Sequence, residues 1–143
     1  MEKKLIRSAL EALDNSYAPY SGFNVAAAVL SDSGRIYTGV NVENASFPAC
    51  ICAECNAVSN MVSCGDKRIS AIAVVSRDNK AGEGDKKSYT SPCGICRQVL
   101  REFSDPKQLR VIMAKSESDY KTVSLEELLP DSFGPDSLQA GKS

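Results

Sequence analysis

The chain has 143 residues, a hydrophobic content of 43% and a formal net charge of −1. That suits one domain with its own core and argues against a nucleic-acid binder working through a basic surface. It contains six cysteines, no histidine and no tryptophan. The missing imidazole excludes Ser-His-Asp and Cys-His nucleophiles and every His-ligated metal, so proton transfer falls to a carboxylate, Lys, Tyr or Cys, and a soft metal would need thiolates.

Leu5, Ile6, Ala9, Leu10 and Leu13 recur at helical spacing and predict a first helix of about three turns. Tyr17-Ala18-Pro19-Tyr20-Ser21-Gly22 breaks it. Val25 to Leu30 reads as a buried strand, and Asp32-Ser33-Gly34 turns it into a second strand from Arg35 to Val42, forming a hairpin. A loop through Pro48 leads to a helix from near Cys52 to Gly65. Ile69 to Ser76 is a continuous apolar run of the kind buried on both faces. The charged stretch from Arg77 to Lys87 follows as a flexible loop, with Lys86-Lys87 a solvated pair behind Glu83 and Asp85. A third helix starts after Pro92 and runs to about Phe103. Strands over Leu109–Ala114 and Tyr120–Val123 precede a short helix, Leu125–Leu129, which Pro130 stops.

The order α-β-β-α-β-α-β-β-α requires some parallel pairing, because a strand–helix–strand crossover returns the chain in the same direction. The expected fold class is therefore α/β: a three-layer α/β/α arrangement with a mixed central sheet of about five strands, residues 1–143 forming a single domain. No apolar run approaches the about 20 residues that span a bilayer. The stretch Met1–Arg7 is amphipathic and interrupts any signal-peptide core. Both features point to a cytoplasmic protein with reduced thiols in place of disulfides.

Two C-x-x-C pairs stand out, Cys52-Ala53-Glu54-Cys55 and Cys93-Gly94-Ile95-Cys96. Bare spacing of this kind describes a structural zinc site with four cysteine ligands, which stabilises a fold and catalyses nothing. Two features point beyond it. Structural zinc pairs usually sit on tight loops of small domains that lack a core, whereas both pairs here open predicted helices in a chain with ample core; the helix dipole there favours thiolates whatever the metal's role. On a helical wheel of about 100° per residue, Glu54 joins Ala57, Val58, Met61 and Val62 on the inward stripe. A solvated glutamate at a helix start is the bland alternative, yet an ionisable group on a buried face beside a metal is costly unless it is used. Zinc with three protein ligands keeps a fourth position for water and lowers the pKa of that water towards about 7, and a carboxylate that is not a ligand can carry the proton away. Zinc deaminases of nucleobases combine these parts in an H-x-E…P-C-x-x-C signature. Here Cys52-Ala53-Glu54 replaces the first element and Pro92-Cys93-Gly94-Ile95-Cys96 supplies the second.

With those residues in place, the sequence resembles the small, homotetrameric cytidine deaminases. The likeness extends through Ala18–Phe23, Gly39–Ala45, Ser91–Gln98 and Leu128–Pro135, in order and over nearly the whole chain. It implies one Zn2+ per chain, held by Cys52, Cys93 and Cys96, with Glu54 as the proton shuttle. It implies that Asn41 and Glu43 bind the ribose, that Phe23 contacts the pyrimidine, and that the Ala53 N–H and the Ser91 carbonyl orient the base. Phe47 and Phe133 match aromatics that complete a neighbouring subunit's site. Taken bare, Phe23 is an ordinary core residue and Phe47 and Phe133 are interface packing. One position departs from the family, where arginine usually follows the catalytic glutamate; here it is Cys55. Without that guanidinium the helix N-termini carry more of the thiolate charge and the zinc water is expected to be less acidic. Cys55 could also act as a fourth ligand. Cys50 and Cys64 have no assigned role.

The resulting expectation is hydrolytic conversion of cytidine and 2′-deoxycytidine to uridine and 2′-deoxyuridine with release of ammonia, in pyrimidine salvage. Its partners are a small nucleoside and further copies of the chain, with no nucleic acid and no membrane. The alternatives are a deaminase of another aminopyrimidine nucleoside, of the blasticidin S kind, and a catalytically impaired relative stabilised by a four-cysteine zinc site.

Overall fold

Alternation along one strand decides the layering. In a computed structural model, which describes residues 1–79 and 89–138, β1 (Phe23–Ser31) is buried from Asn24 to Ser31. Successive side chains of a strand point to opposite faces. Ala26, Ala28 and Leu30 share a core with Leu5, Ile6 and Ala9 of α1 (Glu2–Ala12). Val25, Ala27 and Val29 share a different core with Ala57, Val58 and Met61 of α2 (Ala53–Ser63) and Leu100 of α3 (Gly94–Glu102). A strand without polar alternation therefore lies at the centre of three layers.

The sheet adds β2 (Ile36–Val40), β3 (Ile69–Asp78), β4 (Arg110–Ala114) and β5 (Tyr120–Ser124), in the spatial order β2-β1-β3-β4-β5. β3 and β4 are parallel and the other neighbours antiparallel, giving the mixed five-stranded α/β/α arrangement expected from the element order. The parallel pair follows from the crossover through α3. A capping box between Ser124 and Glu127 starts the short α4 (Leu125–Leu128), and a four-residue α5 (Pro135–Leu138) follows, which no periodicity in the sequence marks.

β2 ends at Val40, earlier than expected. The backbone N–H of Asn41 still donates to the Val25 carbonyl (3.1 Å), but the Val25 N–H turns to the Asn41 side-chain oxygen (3.0 Å). The freed Asn41 carbonyl accepts from the Tyr17 N–H (3.0 Å), so the ladder passes from β1 to the loop after α1. Val42 then pairs with Ile51 in both directions, at 3.0 and 2.9 Å. This brings the segment through Asn41 and Glu43 alongside the residue preceding Cys52.

Gly39 sets how closely β2 meets α2. A Cβ there would stand 2.3 Å from the Ala57 nitrogen and 2.6 Å from the Ala53 oxygen, both backbone atoms. The contact is stitched by Asn56, whose Nδ2 donates to the Val40 carbonyl (2.8 Å), and by Asn60, which reaches the Thr38 carbonyl (3.3 Å). Among the described residues no helix is long and apolar enough to cross a membrane. All six cysteines are free thiols. The expected charged loop lies mostly outside the described residues, Lys86 and Lys87 included.

Candidate metal centre and catalytic site

The N-termini of α2 and α3 converge. Cys52 is the N-cap of α2 and Cys93 the N-cap of α3, both in extended backbone conformation, and neither uses its side chain to cap the helix. The two sulfurs are free to face one another, 3.9 Å apart. Cys96, one turn into α3, brings its sulfur to 3.5 Å from that of Cys93. The sulfurs of Cys52, Cys93 and Cys96 all lie within 4.8 Å of one another. Thiolates bound at about 2.3 Å in a tetrahedral zinc site stand about 3.8 Å apart, so the donor set fits the ion that the sequence implies.

Electrostatics supports the same fit. Burial pushes the Cys52 thiol up to about 11, although hydrogen bonding from Cys96 opposes it. Burial also raises Cys96, with the nearby Glu54 charge adding to the effect. At Cys93 burial acts upward too, but the N–H groups of Cys96 and Ile95 and the neighbouring thiols outweigh it and the net shift is downward. This is the thiolate preference of an open helix N-terminus. So many acidic groups in one place resist ionising together, and a divalent cation among them reverses that balance.

Glu54 is 5% exposed, as its place on the inward stripe predicts. Desolvation raises its carboxyl pKa, and its own backbone N–H and Cys96 only partly offset this. Cys55 brings its sulfur to 3.6 Å from Cys96, yet stands outside the three-sulfur cluster. Burial raises its thiol pKa as well.

Around this centre the remaining candidates form two groups. The Asn41 amide is stitched across the start of β1: Nδ2 donates to the Phe23 carbonyl (2.8 Å), and Oδ1 accepts from the Val25 N–H and from the Ser16 hydroxyl. One Nδ2 hydrogen remains for another partner. Phe23 is half-exposed beside it. Glu43 accepts from the backbone N–H groups of Tyr20 (3.0 Å) and Ser21 (3.1 Å) and from the Ser21 hydroxyl. With Tyr20, Ser21, Phe47 and Cys50, it lines a cavity of about 320 Å3. The Phe47 ring meets Tyr20 edge to face, at 6.2 Å between centroids. Cys50, which had no sequence-derived role, accepts from the Asn44 N–H (3.3 Å) at this rim.

Ser91 lies on the loop leading into Cys93. That loop is held by Arg97, whose guanidinium donates to the Pro92 carbonyl (2.8 Å), the Ser91 hydroxyl (3.0 Å) and the Leu128 carbonyl (2.7 Å). Sequence reasoning gave Arg97 no role, because two of its partners are backbone carbonyls that no motif marks. Phe133 is not drawn into the cluster. It stands 58% exposed on the segment after α4, its carbonyl held by Gln98 Nε2 (2.9 Å).

Residues 1–113 match the family model for the cytidine and deoxycytidylate deaminase zinc-binding region. A cytidine deaminase of Halalkalibacterium halodurans is 38% identical over 90% of this chain and 91% of its own length. One from Mycobacterium tuberculosis is 41% identical over 92% and 88% respectively. Among solved structures, the cytidine deaminase of Burkholderia pseudomallei aligns with a TM-score of 0.81 at 37% identity, covering 93% of this chain and 99% of that one. The Mycobacterium tuberculosis cytidine deaminase structure aligns with a TM-score of 0.73 at 40% identity, over 92% and 95%.

Proposed function

The chain belongs to the cytidine and deoxycytidylate deaminase family of zinc-binding proteins, and we propose that it converts cytidine and 2′-deoxycytidine to uridine and 2′-deoxyuridine, releasing ammonia. The observation that carries this reading is the conjunction of three converging sulfurs with a buried carboxylate that is not one of them. A structural zinc site requires the first and has no use for the second.

In this reading Cys52, Cys93 and Cys96 hold the zinc, which when bound supplies the Lewis acidity that makes water a nucleophile at neutral pH. Glu54 removes a proton from the water as its oxygen bonds to C4 and delivers that proton to ring N3. It then takes the second proton from the new C4 hydroxyl and passes it to the amino group, which leaves as ammonia when the C4–N bond breaks and the C4 carbonyl forms. Burial, which raises its pKa, makes Glu54 a readier proton acceptor than a solvated carboxylate. The Ala53 N–H and Ser91 carbonyl orient the base, Phe23 packs on the pyrimidine, and Asn41 and Glu43 face the ribose. The free Nδ2 hydrogen of Asn41 supports that role, and Arg97 keeps Ser91 in place.

The remaining parts of the reading are a single domain over 1–143, a homotetramer in which Phe47 and Phe133 complete a neighbour's site, and a cytoplasmic location. Phe47 (70%), Ile95 (72%) and Phe133 (58%) are exposed and so available to such an interface. The four-cysteine reading has one observation in its favour, the approach of Cys55 to Cys96. Zinc per chain and loss of cytidine absorbance, measured on one preparation, separate the two. About one zinc with turnover supports the deaminase; zinc without turnover refutes it.

A further inference from the structure

The segment that carries Phe133 is fastened to α3 by three side chains of that helix. Arg97 reaches the Leu128 carbonyl (2.7 Å) and Gln98 the Phe133 carbonyl (2.9 Å). Arg101 donates from Nε to the Ser132 hydroxyl (2.8 Å) and from Nη2 to the Asp136 carboxylate (2.7 Å). The third of these is unusual in its burial: Arg101 is 8% exposed, whereas Asp136 is largely in solvent.

Gly134 explains how the guanidinium is covered. A Cβ at this position would stand 2.4 Å from Arg101 Cζ and 2.6 and 2.7 Å from its two terminal nitrogens. Gly134 is not among the positive-φ glycines, so space and not backbone conformation calls for glycine here. The guanidinium plane thus seats the backbone on one side of Phe133, while Ser132 is held on the other. Between two fixed neighbours, with its own carbonyl bonded, Phe133 presents its ring to solvent.

We infer that Arg101, seated against Gly134, is a positioning residue that sets Phe133 for use by the active site of a second copy of this chain. The inference rests on the reading that Phe133 completes a neighbouring site. Its new content is the device. α3 carries Cys93 and Cys96 at one end and Arg101 at the other, so one rigid helix relates the metal ligands of a protomer's own site to the aromatic it lends.

The test uses the full-length, zinc-loaded protein. Arg101→Met keeps apolar volume and removes both bonds, and Gly134→Ala places a Cβ where the guanidinium lies, so that the segment and the Arg101 side chain can no longer keep their seat together. Both are expected to keep about one zinc per chain and a cooperative thermal transition. Cytidine turnover is expected to fall by about 100-fold in kcat/KM, the usual consequence of a misplacement near 1 Å, with most of the loss in KM. Adding Gly134→Ala to Arg101→Met should cost nothing more, because the clashing guanidinium is gone.

Mixing then tests action in trans. Glu54→Gln retains Phe133 but lacks the shuttle, and Gly134→Ala retains the shuttle with Phe133 displaced. Co-assembled, they should exceed the summed activity of the two preparations. Parent kcat/KM in Arg101→Met, or mixed assemblies no more active than the sum, would overturn the inference. Full activity in Glu54→Gln alone would instead refute the shuttle, leaving the clamp to be judged by KM in Arg101→Met. Should that variant fail to fold, Arg101→Lys keeps the charge beside Asp136, loses the planar seat, and carries the same expectation.

Discussion

Replacing Gly39 by alanine is expected to damage stability and activity together. The new Cβ would lie 2.3 Å from the Ala57 nitrogen, 2.6 Å from the Ala53 oxygen and 2.8 Å from the Asn56 carbon, where ordinary contact begins near 3.4 Å. All three are backbone atoms of α2, so no side chain can swing aside, and β2 and α2 must part by about 1 Å. Overpacking of this kind costs about 1–3 kcal/mol. The Asn56 and Asn60 bonds to β2 stretch as well, at about 1 kcal/mol each. The sum, about 3–5 kcal/mol, lowers Tm by roughly 10–15 °C in a chain of this size. The same displacement moves Asn41 and Glu43 away from Cys52 and Glu54, which costs about 100-fold in kcat/KM. Calorimetry and the cytidine absorbance assay read the two effects. Gly94→Ala is the control: nothing lies within 4 Å of its Cβ position, so parent stability or slightly better is expected there. A Gly39→Ala protein with parent Tm and parent kcat/KM would refute the close-approach argument.

Glu54→Gln is expected to lower kcat by about 10²–10⁴-fold with KM and zinc content kept, and turnover above a tenth of the parent value would remove Glu54 from the shuttle role. Cys55→Ser should leave one zinc per chain and measurable turnover, whereas loss of zinc on dialysis would make Cys55 a ligand. The Tyr37 hydroxyl (2.6 Å), then that of Ser33 (2.7 Å), donates to Asp66 and holds its carboxyl below the usual carboxylate range. A lowered folded-state pKa contributes stability that is present at neutral pH and lost as pH falls through that range. The Tm difference between the parent and Asp66→Asn should therefore shrink as the pH is lowered through and below the usual carboxylate range, and a difference that stays constant throughout would contradict the assignment.

Much of this molecule is legible in its sequence, for reasons that differ by region. The helix of Leu5, Ile6 and Ala9 and the buried runs at Val25 and Ile69 announce themselves because burial imposes a period on side chains. The same periodicity places Glu54 on the inside. What escaped is what depends on backbone partners. The early end of β2 turns on one Asn41 oxygen displacing a carbonyl, and the work of Arg97 is done on carbonyls of Pro92 and Leu128. Any residue offers such a carbonyl, so the sequence carries no mark of it. Gly134 enters the sequence reading only as part of the Leu128–Pro135 stretch; the structure shows that Arg101 occupies the space of its missing side chain.

The pairing of Val42 with Ile51 has a consequence for how such a protein can diversify. It closes a neck, with Asn41 on one side and Cys52 on the other, and residues 43–50 form a loop hanging from it. Closing a loop costs little more when the loop lengthens, so insertions and substitutions at its tip need not disturb the neck. Phe47 stands on that tip, at 70% exposure. Changes at that tip can therefore alter what the loop touches while Asn41 and Cys52 keep their places.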